Sequence, residues 1–225
     1  MLVIENCPGR GSFFFARFLY FSFNAGFCRF DWSKSRCMND HDALRNLVLA
    51  PYIFKATALI GVSRRVGGNQ FRHAFSTLGI LFDYKYFQDS ILLKASLIHD
   101  LLEDLPETEI EEIRYTDHEG HRVVDLVLEV TRNTGEEKED YLQRVLETGS
   151  DNALILKCAD RISNLTDLHR DTDSDFKIAK YLDQTEKYVL PMARKVNQDM
   201  VIEISDLIAR RRKILERMNL GAFDK

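Results

Sequence analysis

The chain has 225 residues and a formal net charge of −4, with 45% hydrophobic and 29% charged residues. That length suits one domain with a sizeable core, and the acidic balance excludes bulk nucleic-acid binding, which calls for a basic surplus. No run of about 18 uncharged apolar residues occurs, so no membrane span is expected.

Residues 1–37 differ in composition from the rest of the chain. They hold eight of the 15 Phe, the only Trp and three of the four Cys, with five basic residues (Arg10, Arg17, Arg29, Lys34, Arg36) against Glu5 and Asp31. The run from Phe13 to Phe21 fits a signal core, an amphipathic surface anchor, or translated sequence upstream of a start at Met38. Arg17 interrupts the run, no Lys or Arg precedes Arg10, and no clean cleavage site follows, which favours the start at Met38. The expected division is an N-terminal extension over 1–37, disordered or upstream of the natural start, and one domain over 38–225. Cys158 is the only cysteine of that domain and sits in an apolar stretch. With no CxxC pair, a zinc knuckle or redox dithiol is not expected, and Cys158 reads as a reduced, buried, small hydrophobe of a cytoplasmic protein.

From Asn39 onward the periodicity is helical almost throughout. Asn39 or Asp40 caps a short helix, and Pro51 opens a second that runs to about Val66, where Gly67-Gly68-Asn69 breaks it. Further helices are expected over about 71–84, 88–104, 108–114, 123–131 and 137–147. Ser150 or Asp151 caps one that reaches Leu168, and two long helices follow over about 175–195 and 199–218. Pro191 kinks or ends the first of these. With no alternating strand pattern, the fold class is all-α: one compact multi-helix bundle.

Three segments carry chemistry. The apolar run Ile91–Ile98 ends in His99-Asp100-Leu101-Leu102-Glu103-Asp104. On one continuous helix, His99 stacks over Glu103 and Asp100 over Asp104, within an arc of about 140°. Carboxylates so close repel one another, which raises a pKa or calls for a cation between them. For an isolated His-Asp pair a solvated acidic helix end is the commoner explanation. In the apolar helix around Leu154–Leu165, Asp160 shares a face with Asn164. A mid-helix carboxylate there needs a metal or an ion pair with Lys157 or Arg161. Arg64 and Arg65 precede the Gly67-Gly68 turn, ready to present forked donors to phosphate or simply to meet a helix dipole. His73 opens the next helix. His118 and His121 read as surface residues. Asp171, Asp173 and Asp175 lack the Gly and bidentate Glu of a calcium loop.

Taken together, a lone His, then His-Asp, then a single Asp on helices resembles the HD phosphohydrolase superfamily. His-Asp-x-x-Glu-Asp is most similar to the hydrolase domain of Rel/Spo-type alarmone enzymes and their stand-alone small alarmone hydrolase relatives. Lys157-Cys158-Ala159-Asp160-Arg161-Ile162-Ser163-Asn164 resembles their Lys-x-Ala-Asp-Arg-x-x-Asn helix, and Leu126–Thr131 their Val-x-x-Val-Thr helix. The resemblance covers roughly residues 40–200. It implies an HD bundle that removes the 3′-diphosphate of guanosine tetra- and pentaphosphate. It assigns His73, His99, Asp100 and Asp160 to one divalent metal, usually manganese, and Glu103 and Asp104 to the attacking water. Arg64, Arg65, Lys157 and Asn164 fall to the substrate, a small anionic nucleotide, with no nucleic acid and no membrane as partner. Seven residues follow Met218, so the hydrolase domain alone is expected.

The chain departs from the family in one loop. Gly67-Gly68-Asn69-Gln70-Phe71-Arg72-His73-Ala74 stands where relatives carry Gly-x-Pro-Tyr before the first His and Pro after it. The departure bears on base recognition and leaves the ligand positions intact. Two other readings stay open: an HD-type phosphohydrolase of another nucleotide or phosphorylated cofactor, and a non-catalytic nucleotide-binding regulatory module.

Overall fold

A computed structural model describes residues 40–221. The order is α1 (Asp40–Asn46), α2 (Ala50–Ala56), a 3-10 turn (Thr57–Gly61), α3 (Gln70–Asp83), α4 (Ser90–Ile98) and α5 (Leu101–Asp104). Next come α6 (Ile110–Arg114), α7 (Gly120–Val130), α8 (Lys138–Thr148), α9 (Asp151–Asp167) and α10 (Asp175–Gln184). A π turn (Thr185–Val189), α11 (Leu190–Val196) and α12 (Gln198–Gly221) complete it. The described part is all-α, and its only strand-like pairing is the isolated bridge Ser63–Asn69. No single helix within it is long and apolar enough to cross a membrane. The division at residue 37 lies outside the described residues.

Capping chemistry sets the starts of the site-bearing helices. Asn69 accepts the Arg72 N–H at 2.9 Å to open α3, Asp89 accepts Leu92 N–H at 2.9 Å to open α4, and Ser150 accepts Ala153 N–H at 3.3 Å to open α9. Each satisfies a backbone donor that the first turn leaves free. α9 is the axis of the bundle, packed against α3, α4, α7, α8, α11 and α12. α4 is buried all round from Ile91 to Ile98, as expected of a helix apolar on every side. Its one charged member, Lys94, is 3% exposed and reaches Asp117 and Glu119 at 2.6 Å each. That pairing satisfies an ammonium that burial would otherwise penalise heavily.

The structure corrects three expected elements. The helix from Pro51 stops at Ala56, tightens into the 3-10 turn and becomes extended at Val62, with φ −90° and ψ 107°. The chain then makes its turn at Gly67 and Gly68, whose φ values of 86° and 75° are left-handed and cost glycine little. The helix expected over 88–104 is broken at His99-Asp100, so α4 and α5 are separate. The 175–195 helix carries the π turn just before Pro191. Pro191 has no N–H to continue the ladder, and a wider turn accommodates its ring.

Candidate metal centre and its cleft

His99 follows the last residue of α4 and keeps right-handed helical angles, φ −61° and ψ −31°. Its Nδ1 donates to the Ser96 carbonyl at 2.8 Å, which fixes the tautomer and turns Nε2 inward. That Nε2 is buried without a hydrogen bond, 3.2 Å from Asp100 Oδ2 and 4.0 Å from Asp160 Oδ1. His73, one turn into α3, has Nδ1 2.9 Å from Ser163 Oγ and Nε2 3.1 Å from Asp160 Oδ1. Asp100 Oδ2 lies 3.5 Å from the same Nε2. Thus α3, the α4–α5 break and α9 bring His73, His99, Asp100 and Asp160 together. Donor atoms of His73, His99 and Asp160 lie within 4.8 Å of one another, a group able to hold a metal ion.

The electrostatics point the same way. Burial disfavours a charged His99, yet the Asp100 and Asp160 carboxylates outweigh it and push the imidazole up to about 9. Burial likewise opposes ionisation of Asp160, but Lys157, 2.8 Å away, and His73 hold its carboxyl well below the usual range. The donor group is two imidazoles and the Asp160 carboxylate, with Asp100 Oδ2 beside both imidazole Nε2 atoms. Such a set calls for positive charge, and mixed nitrogen and oxygen ligation suits a divalent transition ion.

The other expected residues divide between two connected hollows. Asp100, Glu103, Lys157, Asp160 and Asn164 line an inner one of about 260 Å³. Asp104 and Arg65 line an outer one of about 550 Å³. Arg64, Gln70, Lys138, Asn164 and Tyr181 belong to both. Glu103 thus lines the inner hollow together with Asp100, whereas Asp104 lines the outer one. Glu103 Oε1 accepts the Arg132 N–H at 2.8 Å. Asp104 Oδ2 is buried without a partner, and burial, then the Asp100 charge, raise its pKa. Arg64 donates to Asn164 at 2.7 Å and Asn164 to Asp160 at 2.5 Å, a relay from the glycine turn to the centre. Arg65 instead sits on the outer rim, held by Asp171 and Asp173. Cys158 is fully buried, its thiol pushed up to about 12 by burial.

Four buried side-chain polar atoms lack a partner among the described residues: Gln70 Oε1, His99 Nε2, Asp104 Oδ2 and Arg161 Nε. Native interiors leave few such atoms, and each calls for an explanation. All four residues stand at this centre or line its two hollows. Ser163, Arg132, Lys138, Arg161 and Tyr181 were not among the expected residues. For Ser163 a signal existed, since it stands three residues after Asp160 and so near the same helix face.

No family model and no curated protein matches the sequence. Among solved structures the chain is similar to a metazoan ortholog of SpoT that hydrolyses ppGpp, with a TM-score of 0.62 and 22% identity over 77% of this chain and 95% of that one. The two proteins share a fold. The all-α bundle expected from the HD resemblance is therefore the one observed.

Proposed function

We propose that the chain is a metal-dependent pyrophosphohydrolase that removes the 3′-diphosphate of guanosine 3′,5′-bis(diphosphate). His73, His99, Asp100 and Asp160 would hold one divalent ion, with Mn²⁺ the expected one. The observation that carries this reading is the concentration of every unpartnered buried polar side-chain atom of the described residues in one cleft, around a His/His/Asp group. The shared fold with a protein that hydrolyses ppGpp supports it.

When bound, the ion supplies Lewis acidity toward water and the diphosphate. Glu103, held by the Arg132 amide, or Asp104, whose pKa burial raises, would take the proton of the attacking water. Water adds to the phosphorus next to the ribose, the bond from that phosphorus to O3′ breaks, and O3′ leaves with a proton. Pyrophosphate and a 5′-diphosphate are the products. Arg64, fixed by Asn164, lines both hollows and would bind phosphate oxygens, with the nucleoside in the outer one. A second reading, hydrolysis of another nucleotide or a phosphorylated cofactor, is favoured by Gln70. Gln70, the first residue of α3, lines both hollows and stands where relatives carry the Tyr of Pro-Tyr.

The test combines metal analysis of the purified protein with a Mn²⁺-dependent pyrophosphate-release assay on guanosine tetraphosphate. Release by the wild type, and a loss of about 10²-fold or more in Glu103→Ala at unchanged metal content, are the expected results. Metal without release points to the second reading. Absence of metal points to a non-catalytic nucleotide-binding module.

A further inference from the structure

Behind the metal centre stands a pair of cations that the fold leaves uncompensated. Arg161 is 2% exposed, yet it makes no ion pair among the described residues. Its one side-chain bond is from Nη1 to the neutral Thr185 hydroxyl at 2.7 Å, and its Nε has no partner. Its guanidinium lies 4.2 Å from the centre of the Tyr181 ring. The Lys138 ammonium approaches the same ring at 5.0 Å and is likewise without an ion pair among the described residues. Lys138 is also the first residue of α8, where a cation opposes the helix dipole. A buried guanidinium with no carboxylate, beside a second cation, is an expensive arrangement for stability alone. Both side chains line the inner hollow together with Asp100, Glu103, Lys157 and Asp160.

We propose that Arg161 and Lys138 form an anion subsite that holds the outer phosphoryl group of a substrate diphosphate whose inner phosphorus stands at the His73–His99–Asp160 centre. This rests on the pyrophosphohydrolase reading and adds to it what distinguishes a diphosphate from a monophosphate. The planar fork of Arg161, stacked on Tyr181, has its Nε free for a phosphate oxygen. Lys138 supplies a point charge from the solvent side. After the bond to O3′ breaks, the released pyrophosphate spans both positions, so it binds as a product that orthophosphate does not imitate.

The experiment is calorimetric titration of inorganic pyrophosphate and orthophosphate into metal-loaded protein freed of excess metal, with metal content measured before and after. Wild type is expected to bind pyrophosphate at least about tenfold more tightly than orthophosphate. Lys138→Gln and Arg161→Gln are each expected to weaken pyrophosphate by about tenfold, the scale of one charged hydrogen bond, with orthophosphate changed less than about twofold. Lys138 is exposed, so its variant tests the subsite even if Arg161→Gln fails to fold. Equal pyrophosphate affinity in wild type and Lys138→Gln overturns the proposal, as does a parallel loss of both anions. If guanosine tetraphosphate is not hydrolysed but Lys138→Gln still loses pyrophosphate selectively, the substrate reading falls and the subsite stands.

Discussion

A single hydroxyl decides how His73 meets the centre. Ser163 Oγ lies 2.9 Å from Nδ1 in a buried environment, so when the imidazole donates there, Nε2 keeps its lone pair toward Asp160 and Asp100. His99 uses the Ser96 carbonyl for the same purpose. These partners orient the donors that would touch a metal, and such groups commonly account for 10–100-fold in metal affinity. Ser163→Ala is therefore expected to raise the Mn²⁺ dissociation constant by about 10–100-fold while leaving turnover near wild type at saturating metal. Ser163→Thr, which keeps the hydroxyl, should restore most of the affinity. Titration of Mn²⁺ by electron paramagnetic resonance reads the constant directly. An unchanged constant in Ser163→Ala would remove the positioning role.

At the scale of elements, Arg144 makes four of the hydrogen bonds that hold the connection from α7 to α8. Arg144 donates to the Glu129 and Thr131 carbonyls at 3.2 and 2.9 Å and pairs with Glu136 at 2.8 and 3.0 Å. The connection includes Arg132, whose N–H holds Glu103. Arg144→Met should cost about 1–3 kcal/mol through the unpaired carbonyls, and should lower turnover by letting Glu103 drift. The Arg144 hydrogen bonds depress the Glu136 carboxyl to about 2, below its ordinary 4.5. For a depressed carboxylate the stabilisation is present above the ordinary value and fades as pH falls toward 2. Urea melts should thus separate wild type from Arg144→Met at pH 7 and bring them closer below pH 3. A gap that does not shrink in acid would show that Glu136 is not the partner that matters. The same element scale shows what the sequence could reveal. α3 and α9 announce themselves because Asn69 and Ser150 cap them locally and their apolar positions recur at helical spacing. The break at His99-Asp100 does not, because both residues keep right-handed helical angles and no Gly or Pro marks the place. Nor does the proximity of Arg161 and Lys138, which lie 23 positions apart in sequence and both approach the Tyr181 ring.

For the whole molecule, the centre is the point at which separate parts of the bundle meet. His73 comes from α3, His99 and Asp100 from the break after α4, and Asp160 from α9. The sequence assigns these four positions through the family resemblance, but only the packing of α3 and α4 against α9 shows that the three segments converge. An ion held there would bind the native state and find no such arrangement in the unfolded chain, so its binding free energy adds to folding. At a free concentration about 100 times the dissociation constant the gain is about 2.7 kcal/mol. For a chain of this size each kcal/mol moves the midpoint by about 2–4 °C, so Mn²⁺ should raise the melting temperature by about 5–11 °C over protein treated with a chelator. Asp160→Asn should lose most of that response while keeping its helix, since the amide fills the same volume. It also leaves the Lys157 ammonium without its carboxylate, so the chelator-treated variant should itself melt below chelator-treated wild type, and the metal response is read as the shift within each variant. Calorimetry with and without Mn²⁺ distinguishes the outcomes. A wild-type midpoint indifferent to the metal would mean that His73, His99 and Asp160 meet as a structural cluster and hold no ion.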